Sequence, residues 1–478
     1  MTRLCFSLLL GACLALAAPD VRITSGATDD QVFQRGPGGT ADIALAGIAS
    51  DVNGKSLETR ITRNFLPVEG FDWKAAGTIR DGKWSAKLNG VPAGGPYRIE
   101  VRIAGTAETA EVVDVLVGDL WVLAGQSNMQ GVGNLTDVEL PHSLVHNFDM
   151  TDHWVVAEEP LHRLVDATDR VHWGRNPETK EPEKLEGEKL ARYIAERKKG
   201  AGLGLPFAVE MVKRTGVPIG LISCAHGGTS MNQWSPDLKD KGGDSLYGGM
   251  IRRVQLVGGK VKGVLWYQGE SEANPTAAPV FLDKFERFVA AVRADFGQPN
   301  LPFYYVQIGR HVAESNQAEW NSVQENQRKA EMSIPNSGMA ASIDFALDDA
   351  IHVSTPDLKR LGRRLANLAL GTTKRGPRPV SAVFGDGIVR VVFSDVNGRL
   401  AADGRISGFV IETPEGGPKP MIYKAKVDPE NGSAVLLYVN GTYPKGSKLR
   451  YGLGRDPYCN LRDEADMAAP VFGPMPIQ

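Results

Sequence analysis

One serine of this chain is placed for nucleophilic chemistry. Ser127 lies in the run Gly-Gln-Ser-Asn-Met at 125–129, which directly follows the apolar run Leu120–Ala124. A strand there would deliver the serine to the carboxyl edge of a sheet, and a helix starting next would turn free backbone N–H groups toward its hydroxyl. An attacking serine needs such donors, because its tetrahedral intermediate carries an oxyanion. Taken alone, a serine at such a position is more often a turn or helix-cap residue.

A base that could activate a serine stands further along the chain. Asp349 and His352 are three residues apart, just before a helix that we predict to start near Thr355. A serine hydroxyl is a poor nucleophile near pH 7, and histidine supplies a base in that range. A carboxylate fixes the histidine tautomer and stabilises the imidazolium. Asp348 is a competing carboxylate, and a helix-capping acid beside a surface histidine is the alternative interpretation.

Two glycine-containing runs follow other apolar segments. Gly227 and Gly228 come soon after Ile219–Cys224, and Gln268 directly follows Val264–Tyr267. Glycine lets a backbone N–H approach a substrate closely, and a glutamine amide can donate a second hydrogen bond to the same oxyanion. Strand-end turns are also rich in glycine for structural reasons, so neither run is informative alone.

Apolar strands alternate with helical segments between about 116 and 375. The predicted strands are Leu120–Ala124, Ile219–Cys224, Val261–Tyr267, Phe303–Ile308 and Met339–Ile343. The predicted helices include Phe207–Arg214, Val280–Phe296 and Thr355–Leu370. This alternation predicts an α/β domain with a parallel sheet covered on both faces. Such a sheet binds its ligands beyond the carboxyl ends of its strands.

The flanking segments read as β structure. Residues 19–115 carry short alternating strands separated by turn residues, which predicts a sandwich-like domain. Residues 376–478 read as a second, small β domain. The segment from about 150 to 205 is charged and punctuated by proline and glycine, and we interpret it as a long insertion, partly helical, that forms a lid or rim.

Residues 1–18 read as a secretory signal peptide. One positive charge precedes an apolar run that ends at small residues near Ala17 and Ala18, as in a cleavable leader. The protein is therefore expected to be secreted or periplasmic. Lipoprotein anchoring at Cys13 is the alternative, against which the apolar residues that follow this cysteine argue. No other apolar run is long enough to cross a membrane.

Composition narrows the range of partners. The chain has 54 Lys and Arg against 56 Asp and Glu, a formal net charge of −2. No basic excess attracts nucleic acid through counterion release, so a nucleic-acid partner is not expected. Cys224 and Cys459 could form a disulfide or remain separate buried thiols. The sequence leaves the oligomeric state open.

Together the four chemical runs resemble the signature blocks of a known family. Gly-Gln-Ser-Asn-Met at 125–129, Gly-Gly-Thr-Ser at 227–230, Trp-Tyr-Gln-Gly-Glu at 266–270 and Asp349-x-x-His352 occur in this order. They are similar to those of sialate O-acetylesterases and related carbohydrate acetylesterases, a branch of the SGNH hydrolases. The resemblance covers nearly the whole chain after the leader. It implies a flavodoxin-like SGNH hydrolase domain flanked by an N-terminal β-sandwich-like domain and a small C-terminal β domain.

The resemblance also implies an acetyl-enzyme mechanism that requires no metal or organic cofactor. Ser127 attacks the acetyl carbonyl, His352 serves as acid and base, and Asp349 orients His352. The oxyanion hole consists of the Ser127 N–H, a glycine of the Gly227-Gly228 pair and the Gln268 side chain. The supporting or substrate-lining residues are Gln126, Asn128, His226, Glu270, Arg310 and His311. Glu270 is expected to brace its loop rather than react.

The implied substrate is an O-acetylated carbohydrate, with a sialate ester as the preferred hypothesis. An acetylated plant or microbial polysaccharide of the xylan type is the alternative. A catalytically inactive carbohydrate-binding homologue is a third possibility, against which the presence of Ser127, His352 and Asp349 argues.

Several other residues resemble site residues but are expected to have other roles. Ser245 lies in Gly-Asp-Ser-Leu at 243–246, a motif of the wider esterase group, but no apolar strand precedes it. We interpret this match as coincidental, although Ser245 could still lie near the substrate. His142 and His146 have helical spacing without the zinc-protease pattern, so no metal site is expected. For Arg310 a structural ion pair is favoured over a substrate carboxylate, and Trp234 and Trp266 are expected to be core residues.

Overall fold

The computed structural model describes residues 20–50, 53–314, 318–373, 375–441 and 445–478. The predicted signal peptide and Cys13 lie outside the described residues. The chain divides into two compact units. Of the described residues, one unit comprises 20–29, Asp42–Val91 and Pro96–Val115; the other comprises Asp30–Ala41, Pro92–Gly95 and those from Leu116 to Gln478. Residues 376–478, predicted as a C-terminal β domain, thus share a compact unit with the predicted catalytic region, and the predicted domain boundaries stay predictions.

The N-terminal part of the described chain is built from strands. In chain order they are β1 (Val21–Ser25), β2 (Val32–Gln34), β3 (Thr40–Ala49), β4 (Ser56–Arg63), β5 (Leu66–Pro67), β6 (Lys74–Thr78), β7 (Lys83–Pro92), β8 (Gly94–Ile103) and β9 (Thr109–Gly125). One sheet has the order β1-β3-β7, and β4 pairs antiparallel with β5, β6 and β8. Burial alternates along β7, where Trp84, Ala86 and Leu88 are buried. Each such strand therefore has one face in a core, as its alternating sequence predicts.

Helices and strands alternate in the middle of the chain. They are α1 (Ser127–Gln130), β10 (Gly133–Asn134), β11 (Val145–Phe148), β12 (Trp154–Val156), β13 (Gly174–Arg175), β14 (Pro182–Glu183), α2 (Gly187–Glu196), β15 (Lys199–Ala201), α3 (Gly204–Thr215), β16 (Ile219–Ser223), α4 (Leu246–Leu256), β17 (Gly263–Tyr267), α5 (Phe281–Asp295), β18 (Phe303–Gln307), α6 (Ala318–Ser333), β19 (Ser337–Ala341) and α7 (Thr355–Ala369). Among the residues described, none of these helices has both the length and the apolar character needed to span a bilayer.

The central sheet carries the strand order β12-β11-β16-β9-β17-β18-β19. Its neighbours are parallel except at β12, which pairs antiparallel with β11. In register, Val122 of β9 faces Ile222 on one side and Val264 on the other. The carboxyl ends of β9, β16 and β17 therefore meet at one edge. The fold is α/β with a mixed sheet and several additional β-sheets.

Helices α3 and α7 pack closely at a glycine. A Cβ on Gly362 of α7 would lie 2.7 Å from the backbone nitrogen of Phe207 and 2.9 Å from the carbonyl oxygen of Leu203. Both atoms belong to the backbone at the start of α3, which cannot yield as a flexible side chain would. The close approach of these two helices thus depends on a residue without a side chain.

Gly362→Ala should lower the free energy of unfolding by about 1–2 kcal/mol. Alanine stabilises a helix relative to glycine by about 1 kcal/mol. Overpacking a rigid contact costs about 1–3 kcal/mol, and we expect this cost to exceed the gain. Urea unfolding followed by circular dichroism measures the difference. Arg363→Ala, on the exposed side of the same helix, is the control and should stay within about 0.5 kcal/mol of wild type. A Gly362→Ala protein as stable as wild type would contradict the tight packing.

The C-terminal part is again composed of strands. They are β20 (Arg378–Gly385), β21 (Ile388–Ser394), β22 (Leu400–Ala401), β23 (Phe409–Glu412), β24 (Pro418–Lys419), β25 (Ile422–Val427), β26 (Ala434–Val439), β27 (Lys448–Tyr451), β28 (Arg462–Asp463) and β29 (Phe472–Pro476). Two four-stranded sheets form, with orders β20-β21-β26-β25 and β24-β23-β27-β29. A shared apolar core lies between residues of both sheets, including Val391, Leu437 and Tyr451.

Four buried amide side chains, Gln307, Asn321, Gln324 and Gln327, form what we call the buried amide network. Gln307 donates to the Val471 carbonyl (3.0 Å) and accepts from the Val471 N–H (2.8 Å). Asn321 donates to the Gly452 carbonyl (2.9 Å), and Gln327 donates to the Gln268 carbonyl (3.0 Å). Buried amides need such partners. The network therefore ties the C-terminal strands to α6 and to the loop after β17.

The two cysteines of the described chain are both buried and unpaired. Burial raises the pKa of the Cys224 thiol to about 11 and that of the Cys459 thiol to about 12. Of the two alternatives that the sequence left open, separate thiols are what the structure contains.

Candidate active site

Ser127 is the first residue of α1, directly beyond the end of β9. Gly125 has a φ of +134°, and a Cβ there would lie 2.2 Å from the Tyr267 carbonyl oxygen, so only glycine fits between the two strands. The Gln126 carbonyl accepts hydrogen bonds from the N–H groups of Met129 (2.9 Å) and Gln130 (2.8 Å). The Ser127 N–H begins this turn and therefore has no acceptor within it.

Asp349 and His352 meet in the loop before α7. The His352 Nδ1 lies 2.9 Å from both carboxylate oxygens of Asp349. Asp349 also accepts from the backbone N–H groups of Ile351 and His352, each at 3.0 Å. The competing carboxylate, Asp348, instead accepts a hydrogen bond from the Thr355 N–H (3.0 Å) at the start of α7.

One side chain joins the serine loop to the histidine loop. The Asn128 Oδ1 accepts from the Val353 N–H at 3.0 Å, and its Nδ2 donates to Glu270 Oε1 at 2.9 Å. The residues that directly follow Ser127 and His352 are thus hydrogen-bonded to each other. We call these two contacts the Asn128 bridge. It connects three segments that are far apart in sequence and fixes their spacing.

Charged and titratable groups surround His352. Burial raises the pKa of Glu270. The hydrogen bond from Asn128 and the nearby His352 oppose this rise, since each of them lowers the pKa. The second oxygen of Glu270 is buried and has no hydrogen-bond partner among the described residues. Burial, Arg455 and His352 each lower the pKa of His311. A carboxylic acid and a second imidazole therefore lie near His352, in addition to Asp349.

Asp349 is held in its ionised form. Burial by itself would raise the pKa of this carboxyl, but hydrogen bonds from Lys199, the His352 ring and the backbone outweigh it and lower the pKa. The Lys199 ammonium forms an ion pair with Asp349 Oδ2. Because the ionised carboxylate accepts only, the His352 Nδ1 carries the proton and its Nε2 is left as the basic nitrogen.

The four residues predicted for the oxyanion hole differ in their surroundings. A Cβ on Gly227 would lie 3.3 Å from Ser127 Cβ, so this glycine borders the serine. However, the Gly227 N–H already donates to Gln130 Oε1 at 2.7 Å. Gln268 is fully buried, and its Nε2 donates to the Thr229 carbonyl and to Glu272, each at 3.2 Å. A direct role of either group would need a rearrangement of these hydrogen bonds. Gly228 is exposed.

The remaining predicted site residues have structural contacts. Gln126 is buried, and its Oε1 lies 3.4 Å from the Ser271 N–H. The His226 Nδ1 lies 3.1 Å from the His172 Nδ1, with the two rings stacked. Arg310 forms an ion pair with Asp456 at 2.7 Å, the structural role that the sequence favoured.

The other residues that resemble site residues have structural roles. Ser245 is a buried N-cap of α4: its Oγ accepts from the Gly248 N–H (3.0 Å) and donates to the Leu238 carbonyl (2.7 Å). Trp234 and Trp266 are core residues in contact with each other. His146 lies in a strand, with its Nδ1 2.6 Å from the Asp30 carbonyl oxygen. Within the ranges described, no group of three or more potential ligand side chains is arranged to hold a metal ion.

Sequence reasoning missed two residues that touch this site. Gln130 stands one helical turn after Ser127, and that spacing could have indicated it. Lys199 lies in a basic run near the end of the predicted insertion, 150 residues before Asp349, and no local pattern connects the two.

Solved structures and curated proteins include similar chains. A carbohydrate acetylesterase from Xanthomonas citri superposes with a TM-score of 0.64 over 95% of this chain and 99% of that one, at 24% identity, so the two share a fold. A probable carbohydrate esterase of Arabidopsis thaliana is 26% identical over 52% of this chain and 90% of its own length. Human sialate O-acetylesterase is 26% identical over 69% of this chain and 66% of its own length.

A family model matches residues 117–371, and its description is carbohydrate esterase, sialic acid-specific acetylesterase. The match covers more than half of the chain and includes Ser127, Gln268, Asp349 and His352. The chain therefore belongs to the sialic acid-specific acetylesterase family of carbohydrate esterases.

Proposed function

We propose that this carbohydrate acetylesterase removes O-acetyl groups from sialic acid residues through an acetyl-enzyme on Ser127. The observation that carries the proposal is the Asn128 bridge. It ties the residue after Ser127 to the residue after His352, while His352 contacts Asp349 at 2.9 Å. A serine, an imidazole and a carboxylate held on linked loops at the carboxyl edge of a sheet are suited to acyl transfer.

In the first half-reaction the Ser127 hydroxyl attacks the acetyl carbonyl carbon. His352 Nε2 takes the hydroxyl proton, and Asp349 stabilises the imidazolium that forms. The negative charge that develops on the carbonyl oxygen is met by the Ser127 N–H at the start of α1 and by the backbone around Gly228. The C–O bond to the sugar then breaks, and His352 gives its proton to the departing sugar oxygen.

In the second half-reaction water attacks the acetyl group on Ser127. His352 takes a proton from the water and returns it to the serine oxygen as the ester bond breaks. Acetate leaves and the enzyme is restored. Ionised Asp349 keeps the same imidazole nitrogen available in both halves, because it fixes the proton on Nδ1.

The same proposal includes the fold and the location of the protein. The parallel strands that end beside Ser127 and Gln268 support a flavodoxin-like SGNH arrangement. The apolar run within residues 1–18 supports secretion or export to the periplasm, which a fusion of this segment to a periplasmic reporter would test.

Acetate release from a panel of O-acetylated glycans tests the substrate. We expect kcat/KM for O-acetyl sialosides to exceed that for acetylated xylan by at least about tenfold, as a site shaped for one sugar discriminates. Faster release from xylan would favour the polysaccharide alternative. Release from neither, with no turnover of an aryl acetate, would favour an inactive carbohydrate-binding homologue.

A further inference from the structure

The predicted insertion brings a cation to Asp349, the carboxylate that is predicted to orient His352. Lys199 is the first residue of β15, the last strand of the segment that the sequence predicts to be inserted at about 150–205. Its ammonium forms an ion pair with Asp349 Oδ2, and both side chains are only about one third exposed, 38% and 35%. Asp349 in turn contacts the His352 Nδ1 at 2.9 Å. Lysine, carboxylate and imidazole therefore form a continuous chain.

The backbone around Lys199 is anchored to the same loop by a second route. Strand β15 pairs antiparallel with β10, so that Lys199 stands opposite Asn134. The Asn134 N–H donates to Asp348 at 2.8 Å, and its carbonyl accepts from the Thr355 hydroxyl at 2.6 Å. Asp348 and Thr355 flank the Asp349–His352 segment on both sides. Lys199 is thus positioned by fixed backbone contacts and does not depend on the ion pair alone.

We propose that Lys199 is a positioning residue of the esterase, which holds the Asp349 carboxylate against the His352 ring. This inference rests on the proposed function. The ion pair and the backbone contacts of β15 restrict the carboxylate to positions beside the imidazole. The hydrogen bond from Lys199 also lowers the pKa of Asp349, so the carboxylate stays ionised as the acceptor of the His352 Nδ1 proton.

Other groups that face His352 stay unchanged when Lys199 is replaced. Besides Asp349 these are Glu270, linked through the Asn128 bridge, and His311, which lies beside Arg455. Glu270 and His311 approach from the loops after β17 and β18, not from the insertion. A change in kcat after substitution of Lys199 therefore reports on this ion pair.

The test is the separate measurement of kcat and KM for an acetyl ester in the full-length protein. For Lys199→Met kcat should fall about threefold to tenfold, with KM nearly unchanged, because Asp349 is then held beside His352 by one contact fewer. Lys199→Arg should restore the wild-type kcat, since it keeps the charge.

Lys198→Met is the matched control. Lys198 is exposed, and its carbonyl accepts from the Leu135 N–H at 2.9 Å, a contact that the substitution leaves intact. The same loss of charge one residue away should leave kcat and KM unchanged. An unchanged kcat in Lys199→Met, an equal fall of kcat in Lys198→Met, no recovery in Lys199→Arg, or a rise in KM alone would overturn the inference.

These failures are distinct from failure of the proposed function. If Ser127→Ala abolishes turnover and Lys199→Met leaves kcat unchanged, only the role of Lys199 is refuted. If Ser127→Ala keeps full turnover, the acetyl-enzyme on Ser127 is refuted whatever Lys199 does. Circular dichroism and thermal unfolding of each variant show that the fold is intact.

Discussion

Ser127→Ala should reduce kcat for acetyl ester hydrolysis by about 10⁴- to 10⁶-fold, the loss expected when an acyl-transfer nucleophile is removed. Alanine keeps the start of α1 and its backbone N–H groups, so substrate binding should change little. No acetyl-enzyme can form without the hydroxyl. Acetate release from an aryl acetate and from an O-acetyl sialoside, together with mass spectrometry of trapped acetyl-enzyme, measures the effect.

Ser245→Ala is the control for this prediction, since Ser245 lies in the motif that competes with Ser127. Its hydroxyl caps α4 through Gly248 and Leu238. The variant should lose about 0.5–2 kcal/mol of stability and keep the wild-type kcat. If Ser245→Ala loses activity while Ser127→Ala keeps it, the assignment of the nucleophile is reversed.

His352→Gln should reduce kcat/KM by about 10³- to 10⁵-fold. The glutamine amide can still donate a hydrogen bond to Asp349, so the loop and the Asn128 bridge should persist. It cannot accept the serine proton at neutral pH, so the serine remains un-ionised during attack. The measurement is kcat/KM from pH 4.5 to 9, in which the remaining activity of the variant should lack the acid limb of the wild-type profile.

His153→Gln serves as the matched control. His153 is exposed and its ring contacts Thr151 at 3.0 Å, so this variant should retain the wild-type profile. A His352→Gln protein that keeps both its rate and its acid limb would show that another group, such as Glu270, accepts the proton.

Long apolar strands were predictable from the sequence. The predicted Ile219–Cys224 and Phe303–Ile308 correspond to Ile219–Ser223 and Phe303–Gln307. A strand buried on both faces requires apolar residues at successive positions, and this is a strong local signal. The glycine that ends such a strand is also visible in the sequence. At Gly125 a glycine is required because the approach of Tyr267 excludes any side chain.

Elements with polar buried residues escaped prediction. Strand Val145–Phe148 is fully buried although it contains His146 and Asn147. Asn147 accepts from the Ser223 hydroxyl at 2.9 Å and donates to the Leu161 carbonyl. Helix Ala318–Ser333 likewise buries amides where a periodic apolar stripe would be expected. Polar groups are tolerated in a core only where distant partners exist, and one sequence cannot reveal those partners.

The candidate site divides in the same way. Asp349 and His352 are three residues apart, so their contact follows from local geometry and could be predicted. The contacts from Lys199 to Asp349 and from Gln130 to Gly227 join segments brought together only by the fold. The hydrogen bonds from the Gly227 N–H to Gln130 and from the Gln268 side chain to the Thr229 carbonyl were unpredictable for the same reason, because these acceptors lie on other segments.

The buried amide network has a practical consequence for dissecting this protein. The family match ends at residue 371, which suggests a convenient stop for a minimal recombinant enzyme. Truncation there would remove the hydrogen-bond partners of three buried side chains. Gln307 would lose Val471, Asn321 would lose Gly452, and Arg364 would lose Asp466. Each orphaned buried group costs about 1–3 kcal/mol, and more where it is charged, against a total stability of about 5–15 kcal/mol. A recombinant enzyme should therefore retain the last hundred or so residues, because they supply these hydrogen bonds. This holds even though no predicted catalytic side chain lies among them.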